Sequence, residues 1–511
     1  MHTLSNQHVL ILGLGLSGLA MARWCARAGA RVTVADTRPQ PPQLDVLRRE
    51  LPQARFITGP VSAQWLGEGE DAVQLICRSP GLAPAELAAL LDAARARRVS
   101  ATGELGLFAQ ALADLAGQRA YAPQVLAVTG TNGKTTVTAL TARLVQCAGK
   151  TVAAAGNIGP TLLDTLQEAL EQDRLPEVWV LELSSFQLAA AEGFEPTAAA
   201  VLNITQDHLD WHGDMDAYAA AKARIFGTRG TMVLSRDDPR VIAMMPPPPE
   251  RARPGRAAPR KVITFGAQAP ARPGDFGIDQ EGGMVWLARA LPDDGPPRRR
   301  NKETQEPLHM QRLMPLEALR IHGRHNALNA LAALALAGCA GCALAPMLFG
   351  LSSYRGEPHR VESIGVVDGV EYVDDSKGTN VGATVAALDG LGGARRLVVI
   401  LGGDGKGQDF APLAEAVARA ARAVLLIGRD AGQIRQALAQ AGAQAPVEDA
   451  ADLPQAVRRA AAHAQAGDAV LLSPACASLD MFRNYEHRAE VFRAAVQELA
   501  AERGAALEAA A

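Results

Sequence analysis

The sequence predicts an α/β protein built as three domains in series, and three observations carry that prediction. The chain has 511 residues, enough for about three domains at roughly 150 residues each. Short apolar runs alternate with Ala-rich helical stretches along its length, the pattern of parallel sheets with crossover helices. Two of those runs, ending at residues 12 and 129, lead directly into two different glycine-rich loops.

Composition narrows the class. Apolar residues make up 48% and charged residues 21%, which places the chain among soluble globular proteins, while 4% aromatics implies cores of small aliphatic side chains. A formal charge of −3 offers no basic surface for nucleic acid, and the run Arg298–Arg300 sits in a Pro-rich stretch that reads as a solvated loop. The six cysteines are scattered. Cys339 and Cys342 have CxxC spacing without a second pair or a His partner, so free thiols in a cytoplasmic protein are expected. Two apolar stretches invite a membrane or targeting reading. Residues 9–22 have no preceding Lys or Arg and carry loop glycines, which argues against a signal peptide. Residues 327–351 are long enough to cross a bilayer, but they are mostly Ala, Gly and Cys, with Asn329 inside and Pro346 as a breaker. A buried helix followed by a turn is expected.

In chain order, the strand HVLIL from His8, a Gly loop, a helix over 19–28 and the strand RVTVAD ending at Asp36 make a βαβ start. A further strand, QLICRSPG, ends at Ser79, Pro80 and Gly81. The first domain is expected to span 1–119, closing in a polar stretch before the strand VLAVTG. A central domain over 120–356 contains VWVLELSS and AAAVLNIT and is interrupted between about 245 and 315 by Pro/Arg-rich insertions expected to be exposed and partly disordered. The last domain, 357–511, carries strands at RRLVVILGG, AVLLIG and AVLLSPA. The outer two domains read as Rossmann-like and the central one as a phosphate-loop ATPase domain with a parallel sheet.

Gly13-x-Gly15-x-x-Gly18 after a strand lets phosphates approach the N-terminus of the next helix, and Asp36 suits a ribose hydroxyl. Alone, this reads as NAD binding. The second loop, Gly130-Thr131-Asn132-Gly133-Lys134-Thr135, is shorter than the strict phosphate-loop pattern because Val128 stands where the first Gly would be. Its chemistry survives: backbone N–H groups cradle phosphates, Lys134 neutralises charge, and Thr135 offers magnesium a hydroxyl. Glu182, at the end of an apolar strand, supplies a carboxylate for the same ion. His208 and His212 have i, i+4 spacing without an HExxH pattern, and Lys222 in AAAKARIF would ordinarily be a solvated helix charge.

The ordered motifs GTNGKTT, ELSSFQL, NITQDHLD, AAKARIF, GRHNALNALAA, PHRVE, DDSKGTN, LGGDGKG and LSPACASLDMFRNYEHR resemble those of the Mur ligases of peptidoglycan synthesis, over nearly the whole chain. The likeness is greatest to the branch that adds D-glutamate. The insertions are the main departure, while Thr136 and Tyr485 stand where Ser and Phe are more usual.

The resemblance implies a cytoplasmic, monomeric, ATP- and Mg2+-dependent ligase joining D-glutamate to UDP-N-acetylmuramoyl-L-alanine, with no nucleic acid partner and no membrane span. It reassigns the first loop from a dinucleotide to the UDP substrate, with Gly15, Leu16, Ser17, Asp36, Thr37, Arg38, Ser79, Pro80 and Gly81 around it and Asn157 nearby. ATP falls to the loop residues 130–136, to His325, Asn326 and Asn329, and to Arg360, Asp375 and Lys377 from the last domain. Thr135 and Glu182 hold one magnesium, and His208 with Lys222, carbamylated in this family, a second; Lys134, His208 and Lys222 are the implied catalytic residues. D-Glutamate falls to Thr379, Lys406, Ser478, Leu479 and Tyr485. An NAD-dependent oxidoreductase would leave the Lys134 loop, Glu182 and the whole last block without a task.

Overall fold

A computed structural model of the chain describes residues 4–247, 259–292, 308–321, 323–393, 395–505 and 507–508. The stretches 248–258 and 293–307, which fall in the expected insertion region and include Arg298–Arg300, lie outside the described residues. Contacts divide the chain into two compact units, Met1–Ile204 with His208–Pro315 and Ala330–Leu351, and Thr205–Asp207 with Leu316–Asn329 and Ser352–Ala511.

The first unit holds two sheets. One has five parallel strands in the order Arg55–Thr58, Arg31–Asp36, His8–Leu12, Leu75–Arg78, Ser100–Thr102. His8–Leu12 is buried on both faces, as the unbroken apolar run Val9–Leu12 requires, and each fully buried aliphatic side chain contributes about 1.5–3 kcal/mol. The strand order reverses between His8–Leu12 and Leu75–Arg78, so Gly13 and Ser79 emerge side by side at a topological switch point, where α/β sheets bind ligands. The first helix spans Leu16–Arg27, three residues earlier than its apolar pattern suggested.

The second sheet has nine strands. Five parallel ones, ordered Thr231–Ser235, Ala198–Val201, Gln124–Thr129, Val178–Glu182, Val152–Gly156, place the Lys134 loop and Glu182 at the ends of adjacent strands, because Val128 pairs with Glu182. Beyond Thr231–Ser235, the strands Val262–Phe265, Phe276–Glu281, Met284–Pro292 and Leu308–Pro315 extend the sheet, the last three antiparallel to one another. These four strands fall within the region the sequence marked only as insertion. Trp179 packs edge-on against Phe108, with ring centroids 5.1 Å apart, and its indole N–H donates to Tyr121 Oη at 2.9 Å.

In the second unit, Glu362–Val367 pairs antiparallel with Val370–Asp374, and parallel strands follow in the order Ala469–Leu472, Leu397–Gly402, Ala421–Ile427, Val447–Asp449. The apolar stretch 327–351, most of which (Ala330–Leu351) belongs to the first unit, forms a helix over Arg324–Cys339, a turn, and a second helix over Leu344–Ser353. Pro346 is not the breaker; it sits in the first turn of the second helix, where a missing N–H costs nothing. Among the described residues no helix is long and apolar enough to cross a membrane. All six cysteines are free thiols.

Candidate active site

The first loop is tied down by its own site residues. Asp36, only 4% exposed, accepts from the Leu14 N–H at 2.8 Å, the Arg38 N–H at 2.9 Å, and Arg38 Nε and Nη2, each at 2.8 Å. Burial works against its charge, yet the Arg38 fork and the backbone donors prevail and hold the carboxyl down to about 2. Ser79 Oγ donates to the Gly13 carbonyl at 2.9 Å, joining the SPG turn to the glycine loop. Gly18 is required by close approach: a Cβ there would lie 2.0 Å from the Gly13 carbonyl oxygen. Ser17 bonds to the buried Glu104 carboxyl, which also accepts from the Leu163 N–H at 3.1 Å; burial raises its pKa. Leu16, Thr37 and Gly81 are exposed and Pro80 half-buried on the same rim.

At the second loop, Gly133 caps the helix Lys134–Cys147, so the N-terminal N–H groups of Lys134, Thr135 and Thr136 carry the positive end of the helix dipole. Asn203 holds the loop from the side: its Oδ1 accepts from the Asn132 N–H at 2.8 Å and its Nδ2 donates to the Asn132 carbonyl at 3.1 Å, while its own carbonyl accepts from the Thr131 N–H at 2.9 Å. Thr131 Oγ1 also meets Tyr218 Oη at 3.2 Å. Lys134 Nζ donates to the Gly130 and Thr131 carbonyls at 2.9 and 3.0 Å.

Lys222 is not a solvated charge. It is 1% exposed, its Nζ donates to the same Gly130 carbonyl at 2.9 Å, and it lies 4.5 Å from the centroid of the Tyr218 ring. The Lys134 and Lys222 Nζ atoms are thus no further apart than twice that bond length. Two cations held that close repel, and the repulsion is relieved by an intervening anion or by loss of one charge.

Glu182 faces this loop from the paired strand end, 4% exposed, with Asn157 Nδ2 donating to its Oε1 at 3.1 Å. Gly156 makes this packing possible, since a Cβ there would lie 2.1 Å from the Glu182 carbonyl oxygen. His208 adopts a left-handed backbone, φ 54, before the short helix Leu209–His212 and stands edge-on to Phe186 with ring centroids 4.7 Å apart. Its i+4 partner does something else. His212 stacks on Phe186 at 5.6 Å, and one ring nitrogen lies 2.9 Å from Ser185 Oγ; burial, with the charges of His208 and Lys222, brings its pKa down to about 4. A carboxylate and a threonine hydroxyl beside a phosphate cradle are oxygen donors of the kind magnesium takes.

The second unit gathers most of the remaining candidates. Asn329 Nδ2 donates to Asn326 Oδ1 at 3.1 Å, and His325 packs against Gly390, its pKa brought down to about 4 by burial. Asp375 accepts from Ser473 Oγ at 2.6 Å and from the Val361 N–H at 3.3 Å; burial outweighs both and the charge of Arg360, pushing its pKa up to about 7. Lys377 Nζ lies 5.0 Å from the centroid of the Tyr485 ring, and the Lys377 N–H donates to the His359 carbonyl at 3.3 Å. The Thr379 N–H donates to the Lys377 carbonyl at 3.0 Å. Lys406 has a left-handed backbone, φ 50, in a turn closed by its N–H to Asp404 Oδ1 at 3.0 Å. Ser478 is buried, while its neighbour Leu479 is 71% exposed.

Four structural residues escaped the sequence reading. Arg488, fully buried, donates to the Cys476 carbonyl at 3.1 Å and the Ser376 carbonyl at 2.7 Å, pinning the turn that bears Ser478 to the turn that bears Lys377. His359 bonds to Asp374 Oδ2 at 2.8 Å behind Arg360. Asn203 and Glu104 buttress the two loops as described. An Arg near the start of an otherwise ordinary helix gives no periodic signal, and only the quoted motifs PHRVE, NITQDHLD and YEHR, which contain His359, Asn203 and Arg488, held a hint.

The geometry defines a class: a nucleotide-loop protein whose second loop is flanked by a buried lysine and an acidic strand end. The chain matches a MurD-like N-terminal domain of Mur ligases over residues 7–103, the Mur ligase middle domain over 128–337 and the Mur ligase glutamate ligase domain over 359–476. It belongs to the Mur ligase family. Relatives named UDP-N-acetylmuramoylalanine–D-glutamate ligase include one from Albidiferax ferrireducens, 64% identical with 100% of both chains covered, and one from Burkholderia thailandensis, 57% identical with 98% of both covered. Among solved structures, the fold is shared with MurF ligase from Thermotoga maritima in complex with ADP, at 15% identity, TM-score 0.56, and 97% of this chain and 96% of that one covered. The MurC ligase of the same organism has 19% identity and a TM-score of 0.54, with 97% and 100% covered.

Proposed function

We propose that the protein joins D-glutamate to UDP-N-acetylmuramoyl-L-alanine at the expense of ATP, with residues 1–119 holding the acceptor, 120–356 the nucleotide and 357–511 the amino acid. The observation that carries the reading is the pair of lysines on the Gly130 carbonyl opposite Glu182. The full-length likeness to relatives named for this reaction supports the choice of amino acid.

A carboxylate does not condense with an amine unaided, because its oxygen is a poor leaving group. One oxygen of the acceptor's alanyl carboxylate attacks the γ-phosphorus of ATP, and ADP departs. The D-glutamate nitrogen then attacks the acyl carbon, loses a proton, and expels phosphate to leave an amide. The loop N–H groups and Lys134 neutralise charge on the phosphates, so positioning and electrostatics supply most of the rate. Thr135, Glu182 and His208, with Lys222 as an oxygen donor once carbamylated, would hold magnesium, which would supply further charge neutralisation on the phosphoryl oxygens. Carbamylation also removes the clash between two ammonium groups. Asp36, through Arg38 and the Leu14 N–H, keeps the acceptor loop in shape, and Lys406, Thr379 and Ser478 offer a cation and hydroxyls to a dicarboxylate.

The test is phosphate release from ATP and magnesium with UDP-N-acetylmuramoyl-L-alanine, comparing D-glutamate, L-glutamate, L-alanine, L-lysine and meso-diaminopimelate. Release with D-glutamate and an amide product is expected. Release with a different amino acid would refute the assigned specificity, and release with none would refute the ligase.

A further inference from the structure

The first unit contains a cavity of about 710 Å3 whose charge no step above uses. It lies where the helix Pro84–Ala96 and the edge strand Ser100–Thr102 face the segment 189–192, and its charged lining is Arg78, Arg95, Arg98 and Arg224 against Asp92 and Glu192. Asp92 is already taken, accepting from Arg95 at 2.5 Å. Arg78 donates to the Ala189 carbonyl at 2.9 Å and Arg224 to the Ala191 carbonyl. Among the described residues neither guanidinium is paired with a carboxylate. Each therefore has most of its five N–H donors left for another acceptor. Burial, and then the neighbouring charge of Arg224, push the Arg78 pKa down, with Glu192 acting weakly the other way. A half-buried cation repelled by a second cation is relieved by an anion placed between them.

We propose that this cavity is an anion site, separate from the phosphate loop, that takes a small molecule bearing a phosphate ester or diphosphate. Guanidinium forks match phosphate oxygens two at a time, which favours phosphate over an isolated halide or carboxylate. The volume lies within the roughly 300–1,000 Å3 of small-molecule sites and leaves room beyond a single phosphate ion. Arg78 is also the residue immediately before Ser79, whose hydroxyl carries the Gly13 carbonyl, so an occupant sits one residue from the first loop.

The experiment is calorimetric titration of the full chain with inorganic pyrophosphate, without magnesium, in a Lys134→Ala background that disables the phosphate loop. Binding is expected to persist there and to weaken at least tenfold on adding Arg78→Gln. The second variant is Ala88→Glu, which puts a carboxylate into the cavity from the exposed face of the helix Pro84–Ala96 and leaves the arginine bonds to the 189 and 191 carbonyls in place. It too is expected to weaken binding at least tenfold. Pyrophosphate binding that vanishes with Lys134→Ala alone, or that Ala88→Glu leaves unchanged, overturns the proposal. No turnover is measured, so the outcome is independent of the ligase reading.

Discussion

Lys222 shows how far a single residue's chemistry depends on where the fold puts it. Read in a helix of alanines it is a surface charge; in the structure it is buried on the carbonyl that also receives Lys134. Replacing it with Ala should lower kcat by about a hundredfold or more, a loss of the size seen when a preorganised electrostatic group is removed. Steady-state phosphate release checks this, and near-normal turnover would sink the role given to the residue. Asp375 makes a separate prediction. Its ordinary carboxyl pKa, 3.8, is raised to about 7 by burial, so between those values the folded chain keeps a proton that the unfolded chain gives up. Stability from this group therefore falls as pH rises from about 4 to 7 and stays lowered above that. Asp375→Asn should remove the dependence, and its thermal midpoint should gain on the parent between pH 5 and pH 8. Parallel pH profiles would refute the assigned shift.

The elements carry the two nucleotide loops, and here the sequence was most legible. Both loops follow strands made mostly of apolar residues, and such strands with Gly-rich ends have few alternatives to a buried parallel sheet. What the residues alone did not show was the bracing. Asn203, just past a strand end, and Glu104, at the start of a helix, reach the loops from far along the chain, and no local spacing announces a contact between residues 132 and 203. The four strands between 262 and 315 were missed for a different reason, since flanking Pro/Arg-rich composition masked their alternation. The tightest element is the first glycine loop. Gly18→Ala would force its Cβ against a backbone oxygen that has no rotamer to escape into, at an expected cost of about 1–3 kcal/mol. Chemical denaturation should show the loss together with a raised KM for the UDP substrate; an unchanged midpoint would mean the loop can open without penalty.

For the whole molecule, three parallel-stranded sheets were foreseeable, and so was the family through its ordered motifs, but the sharing of residues 205–207 and 316–329 with the last block was not. The short pieces join it through packing, which leaves no compositional mark. A ligand that binds only the folded chain stabilises it by about 2.7 kcal/mol at a hundred times its Kd. ATP with magnesium should therefore raise the thermal midpoint of the parent and fail to raise that of Lys134→Ala. An equal rise in both would remove Lys134 from the nucleotide site. The division into two units has an optical consequence as well. All five tryptophans, at 24, 65, 179, 211 and 286, lie in the first unit, so indole emission is blind to the second. Far-ultraviolet circular dichroism sees the helices of both. Denaturant curves followed by the two signals should separate if each unit melts on its own, whereas superimposable curves would mean that the molecule unfolds as one cooperative body.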